Sequence, residues 1–124
     1  MAQLTGSQLK TFVGAQNFET SKEFYIALGW KLCFDSESLS ELTFMDCKFY
    51  LQRYYQEDWC NNSMLHMTVD DAEAWYHHIQ EVLEKKAYGA ARVKPPKVEG
   101  YGALVTHFWD PSGVLWHLAQ PLEQ

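Results

Sequence analysis

One order of secondary structure, present twice along the chain, constrains the fold most. Hydrophobic patterns predict strand, helix, strand, strand, strand over about 7–57, and the same order again over about 62–121. The polar stretch 56–63 is the one internal linker that the pattern indicates. Because the 124 residues amount to one domain, we expect a single α+β domain over 1–124, built from two βαβββ modules.

Local signals set the limits of the two predicted helices. Asn17 is a suitable N-cap for the first helix, and Gly29 is a suitable C-cap. The second helix follows Asp70 or Asp71 and runs to about Lys86. Its predicted core face consists of Ala72, Trp75, Tyr76, Ile79, Val82 and Leu83.

Each helix can cover only one face of its sheet, so the other faces of the two curved, mixed sheets are expected to enclose a cleft. Strand alternation puts His66 on the cleft face and Leu65 in the core. His107 and Trp109 share a face that is either cleft or core. The predicted ligand-binding set is Lys10, Phe12, Tyr50, Gln52, Met64, His66, Trp109 and His117.

Composition and charge exclude several classes of protein. The net charge is −6, and the strongest basic cluster, at 94–97, is short, which disfavours a nucleic-acid partner. No apolar run reaches the ~20 residues of a membrane span, and the start of the chain has no signal-peptide pattern, so we expect a cytoplasmic protein. Three cysteines without a CxxC pattern predict neither a disulfide framework nor a structural zinc site. An aromatic content of 15% suits a pocket for a flat ligand.

Three segments carry a resemblance to a known superfamily. They are LKTFVGAQNFETSKEFYIALGWKL, MTVDDAEAWYHHI and YGALVTHFWDPSGVLWHLAQP, the last with a DPSG turn before the final strand. In their rhythm and order they resemble the vicinal-oxygen-chelate superfamily of glyoxalase I, bleomycin-resistance proteins and extradiol dioxygenases. The Pro-rich segment before YG and the LAQ ending resemble the bleomycin-resistance branch. The resemblance implies the glyoxalase/bleomycin-resistance fold and a homodimer, whose modules pair either within one chain or across two.

The resemblance also locates the positions at which metal-using relatives carry His and Glu. They fall on Lys10, Gln52, Met64 (or His66 beside it) and His117. A protonated lysine cannot ligate a metal, and a thioether suits only soft ions. We therefore favour no cofactor. A divalent zinc, nickel or iron ion would have His66 and His117 as ligands, completed by Gln52 or a neighbouring carboxylate.

These observations leave three classes of function. The favoured one is a metal-independent protein that binds a small flat ligand such as an antibiotic. The acidic net charge of the chain favours a ligand that is positively charged. The alternative is an enzyme, either a metal-dependent glyoxalase-like lyase or dioxygenase, or a metal-free one with His66 or His117 as acid–base. The third is a protein-interaction domain. No G-x-S-x-G, P-loop or G-x-G-x-x-G motif supports hydrolase, kinase or dehydrogenase chemistry.

Overall fold

A computed structural model describes residues 3–122. This part of the chain forms two mixed sheets, one of four strands and one of five, and three helices. The α+β fold class is confirmed. In the first sheet, sheet A, the strand order is β1-β4-β3-β2, with β1 parallel to β4 and the other pairs antiparallel. Its elements are β1 (Phe12–Gly14), α1 (Phe18–Leu28), β2 (Lys31–Asp35), β3 (Leu39–Phe44) and β4 (Cys47–Gln52).

The second sheet, sheet B, follows the same path. The strand order is β5-β9-β8-β6, with β7 also paired to β8, and β5 runs parallel to β9. The Pro95–Pro96 pair separates β6 from β7, because proline cannot donate to a strand ladder. The remaining elements are α2 (Glu57–Asn62), β5 (Met64–Thr68), α3 (Ala72–Lys85), β6 (Arg92–Val93), β7 (Lys97–Glu99), β8 (Ala103–Trp109) and β9 (Leu115–Pro121).

Side-chain caps begin the two long helices where the sequence predicts them. The Asn17 side chain accepts a hydrogen bond from the Thr20 amide, and the Asp71 side chain accepts one from the Ala74 amide. Gly29 ends α1 in the left-handed conformation, with φ of 115°, which a side chain would oppose. Among residues 3–122, none of the helices has the length and apolar character that crossing a bilayer requires.

Three details differ from the sequence predictions. The predicted linker 56–63 contains the helix α2, whose Cys60 is buried beside the carbonyl oxygen of Gly14. The sequence pattern predicts a first strand over 9–15, whereas β1 is confined to Phe12–Gly14, so Lys10 precedes it. In α3 only Ala72 and Ile79 are fully buried. Of the other members of its predicted core face, Trp75, Val82 and Leu83 are half-buried and pack against the core, whereas Tyr76 is half-buried outside it.

The core joins the covered faces of both sheets. Tyr25 of α1 packs against Phe49 of β4 and Trp116 of β9, with ring centroids 4.9 and 5.8 Å apart. Phe49 and Trp116 are themselves 5.5 Å apart. Since the covered faces meet at α1, the other face of each sheet is left open at the surface. We call these surfaces open face A and open face B.

Candidate functional site

A cleft of about 800 Å³ lies between the two sheets, at the beginning of β4 and along β5. Its apolar wall consists of Trp30, Phe49 and Trp116, which pack edge to face. Lys10 and His66 also line it. A cleft of this size, with aromatic walls and a few polar groups, suits a small organic ligand.

Lys10 is held by sheet A. Its ammonium group donates a hydrogen bond to the Glu41 carboxylate and lies 5.1 Å from the centroid of the Tyr50 ring. The hydrogen bond between the two residues raises the pKa of Lys10 and lowers the pKa of Glu41. Lys10 is therefore a fixed positive charge at the edge of the cleft, already paired with a carboxylate.

Open face A carries exposed aromatic side chains. Phe12 stacks on Tyr50, its partner in the β1–β4 register, with ring centroids 4.9 Å apart and planes inclined by 21°. Phe12 remains 57% exposed. Gln52, Phe12 and Trp59 line a pocket of about 190 Å³ between this face and α2. The ligand-binding set predicted from the sequence does not include Trp59. The position of Trp59 in the polar segment 56–63 nevertheless indicates an exposed aromatic residue.

Open face B carries a row of three histidines. His66 of β5, His117 of β9 and His107 of β8 are direct partners in the strand register. The ring centroids of His66 and His117 are 6.4 Å apart, and those of His117 and His107 are 4.6 Å apart. Met64, His66, His117 and Tyr101 line a pocket of about 420 Å³.

The histidines of this row differ in electrostatics. Burial lowers the pKa of His107 and of His117, and for His117 the neighbouring His107 and His66 lower it further. Both imidazoles are therefore neutral at neutral pH. Each then offers one N–H donor and one acceptor nitrogen to a ligand.

Trp109 belongs to the same open face as the histidines. The sequence leaves open whether the face that Trp109 shares with His107 belongs to the cleft or to the core, and the structure puts it on the open side. It lies opposite Arg92 in the β6–β8 register, and the guanidinium carbon is 3.7 Å from the centroid of its ring. The Lys94 ammonium is 5.3 Å from the same centroid. The sequence set includes neither Arg92 nor Lys94, because their position depends on a pairing across the proline segment.

The predicted set is divided among several surfaces. Lys10 and His66 share the cleft between the sheets, Met64 and His117 join His66 on open face B, and Phe12 and Gln52 share the pocket beside α2. Tyr50 supports Phe12, and Trp109 adjoins the histidine row. None of the four pockets described within residues 3–122 contains the whole set.

The donor set for a metal ion does not come together in the chain. His66 and His117 are neighbours on sheet B, whereas Gln52 lies on sheet A in a different pocket. Over the part of the chain that the structure describes, no three His, Cys, Asp or Glu side chains are grouped so as to hold an ion. A catalytic zinc site needs three protein ligands drawn from His, Cys and carboxylate side chains, so two imidazoles and the neutral amide of Gln52 do not fit that group.

Solved structures with this fold include several proteins that bind antibiotics. A bleomycin resistance determinant encoded on the transposon Tn5 has a TM-score of 0.79 at 20% identity, over 94% of this chain and 98% of that one. A bleomycin-binding protein from Streptomyces verticillus, complexed with copper(II)-bleomycin, has a TM-score of 0.77 at 16% identity, with both chains covered completely. TnmS3, an antibiotic binding protein from Streptomyces sp. CB03234, has a TM-score of 0.75 at 21% identity, over 98% of this chain and 99% of that one.

No protein-family model and no curated protein matches the sequence. At identities near 20% the structural likeness establishes the fold, and it confirms the glyoxalase/bleomycin-resistance fold that the sequence resemblance implies.

Proposed function

We propose that this protein binds a small, flat organic ligand, such as an antibiotic, and sequesters it without a metal ion. The observation that carries the proposal is the set of aromatic side chains that stay exposed beside its pockets. Phe12 is 57%, Trp59 62% and Tyr101 63% exposed, although the core is well filled by other rings. Exposed aromatic side chains at concave surfaces favour stacking on a flat ligand.

Each aromatic side chain is held by a neighbour, which lowers the cost of ordering it on binding. Phe12 stacks on Tyr50, Trp59 packs against Tyr54 at 5.6 Å between ring centroids, and Tyr101 lies 6.4 Å from His66. Structural neighbours are named for the binding of antibiotics, which supports this class of ligand.

We test the proposal by calorimetric titration of the protein with bleomycin and with a panel of flat antibiotics, after exhaustive dialysis against a chelator. Saturable binding with one ligand per cleft is expected for at least one compound, and Phe12→Ala should weaken it. The control is Met45→Ala, which removes another exposed apolar side chain, at the β3–β4 turn. Binding that appears only after zinc, nickel or iron(II) is restored would contradict the metal-independent proposal.

We further propose a homodimer in which open face A of one protomer lies opposite open face B of its partner. In the single chain most of both faces is uncovered, and the predicted set is divided among the pockets on them. The proposed pairing reunites Phe12, Tyr50 and Gln52 with the partner's His66, His117 and Trp109. A two-fold symmetric dimer then has two equivalent clefts, each built from both chains.

Mixing two defective variants tests the pairing. Phe12→Ala with Tyr50→Ala disables open face A, and His117→Ala with Trp109→Ala disables open face B. If the clefts form across chains, each mixed dimer contains one intact cleft, and about a quarter of all clefts regain binding after subunit exchange. If they form within a chain, mixing restores nothing. Sedimentation velocity of each variant alone checks that the dimer persists.

A further inference from the structure

Open face B is basic, although the chain as a whole carries a net charge of −6. Arg92 lies opposite Trp109, and Lys97 lies opposite Val105. The Lys94 amide donates to the His107 carbonyl oxygen, so Lys94 continues the row of histidines. Three cations thus extend from one edge of the face along its aromatic and imidazole side chains.

These cations have no carboxylate partner in the described part of the chain. None of the ion pairs found within residues 3–122 includes Arg92, Lys94 or Lys97. On the strand positions that share this face, the carboxylate present is Glu99, opposite Ala103. By contrast, Lys10, Lys22, Arg53 and Lys86 all have acidic partners.

Arg92 and Lys94 are also placed where an aromatic ligand would lie. Both cations approach the ring of Trp109, at 3.7 and 5.3 Å from its centroid. The guanidinium group presents parallel N–H donors that match the two oxygens of a carboxylate. Beside them, the neutral imidazole of His107 has an N–H to donate.

We infer that the ligand is an aromatic acid, whose flat body stacks beside Trp109 while its carboxylate, or an equivalent oxyanion, pairs with Arg92 and Lys94. This inference rests on the proposed function and names the chemical class of the ligand. An anionic ligand differs from the positively charged one that the net charge of the chain favours. At physiological ionic strength, charges are screened beyond about 8 Å, so the groups on the face decide which charge the ligand carries.

The proposed dimer strengthens this argument. Open face A contributes Lys31 and Lys48, which lie on either side of Thr43 in the strand register, besides the paired Lys10. Opposing open face A to the partner's open face B brings these cations toward Arg92, Lys94 and Lys97. Like charges confined in a cleft repel each other, and an anionic ligand relieves the repulsion.

Three naphthalene compounds of nearly equal shape separate charge from stacking: 2-naphthoate (anion), 2-naphthamide (neutral) and 2-(aminomethyl)naphthalene (cation). We expect calorimetry to give at least about tenfold tighter binding for 2-naphthoate than for 2-naphthamide, as for a charge-assisted bidentate pair. The double variant Arg92→Gln, Lys94→Gln should remove this preference, so that 2-naphthoate binds no more tightly than 2-naphthamide. Both positions are exposed, so the variant is expected to fold normally.

Lys85→Gln is the control for the loss of a positive charge away from open face B, at the exposed end of α3. It should retain the preference for 2-naphthoate. Equal or tighter binding of the amine, or a preference that survives in the double variant, would overturn the inference and leave small-molecule binding intact. If bleomycin binds and none of the three naphthalenes does, the inference fails alone. If bleomycin and the flat antibiotics fail as well, the proposed function falls with it.

Discussion

The hydroxyl group of Tyr25, in α1, donates a hydrogen bond of 2.6 Å to the carboxylate of Asp110, which follows β8. The same hydroxyl accepts a hydrogen bond of 3.0 Å from the indole nitrogen of Trp116. All three side chains are buried. The Asp110 carboxylate also accepts from the amides of Ser112 and Val114, which shapes the turn before β9. This network ties the helix of the first half of the chain to the last hairpin of the second.

We expect Tyr25→Phe to lower the free energy of unfolding by about 1–3 kcal/mol. The ring is kept, but the Trp116 N–H and one Asp110 oxygen lose their partner in the core. Urea denaturation at pH 7 measures the change. Tyr54→Phe is the control, because Tyr54 is 45% exposed and its hydroxyl can bond to water. Equal stability of the two variants would mean that the buried hydroxyl contributes nothing.

Asp110 makes stability depend on pH. Burial raises its pKa from 3.8 to about 6, against the lowering effect of its hydrogen bonds. Its contribution to stability is therefore fully present below about pH 4 and is lost as the pH rises through about 6, a loss on the order of 3 kcal/mol. The stability of the wild type relative to Asp110→Asn should fall between pH 4.5 and 7.

The comparison between Asp110→Asn and the wild type is needed because other groups titrate in the same range. Lowered pKa values of His107 and His117 make their contribution rise with pH, opposite to that of Asp110. Both groups are present in the two proteins, so their effect cancels in the difference. Glu81→Gln, at an exposed position of α3, serves as control. A difference that stays constant from pH 4.5 to 7 would contradict the raised pKa of Asp110.

Much of the fold could be predicted because its signals are local. A few adjacent residues are enough to predict the Asn17 cap, the Gly29 end of α1 and the alternation of Met67 with His66. The helix α2 could not be predicted, since its sequence is polar and lacks helical periodicity. It forms where Cys60 packs on β1, a contact between residues 46 positions apart.

The candidate site was predictable only in part, and for the same reason. Alternation identifies His66 and His117 as cleft-facing, and the structure does put them on one open face. His107 and Lys94 extend the same row. Their place in it depends on strand registers between segments that are distant in the sequence, so local patterns do not predict it. Whether open faces A and B meet depends on how the two halves of one chain, or two chains, are arranged, which no local pattern encodes.

The row of histidines predicts coupled titration. Burial is the main cause that lowers the pKa of His117, and the charge of His107, 4.6 Å away between ring centroids, lowers it further. We expect His107→Gln to raise the pKa of His117, because one positively charged neighbour is removed at low pH. An NMR titration of the imidazole ring resonances measures it. His77→Gln, on α3 beside Glu73, should leave the pKa of His117 unchanged. An unchanged or lower pKa in His107→Gln would mean that the two rings do not interact.

Gly14 lies where β1 approaches the chain that follows β4. A Cβ atom at this position would be 2.6 Å from the carbonyl oxygen of Tyr54 and 3.3 Å from the sulfur of Cys60. The first contact is with backbone, so no rotation of a side chain relieves it. Next to it, the Ala15 amide donates to the carbonyl oxygens of both Gln52 and Tyr54, at 3.1 Å each.

Gly14→Ala must therefore displace either β1 or the backbone at Tyr54. We expect a loss of about 1–3 kcal/mol in the free energy of unfolding, as for other overpacked sites. The pocket between Phe12, Gln52 and Trp59 should change with it, because Gly14 and Tyr54 are part of its lining. Urea denaturation measures the first effect, and the part of the tryptophan emission that Trp59→Phe removes reports the second. The control is Gly100→Ala, where an added Cβ meets no atom within 4 Å. If the two alanine variants are equally stable, the close approach of β1 to Tyr54 does not exist in solution, and the wall of open face A beside α2 is wider than the structure shows.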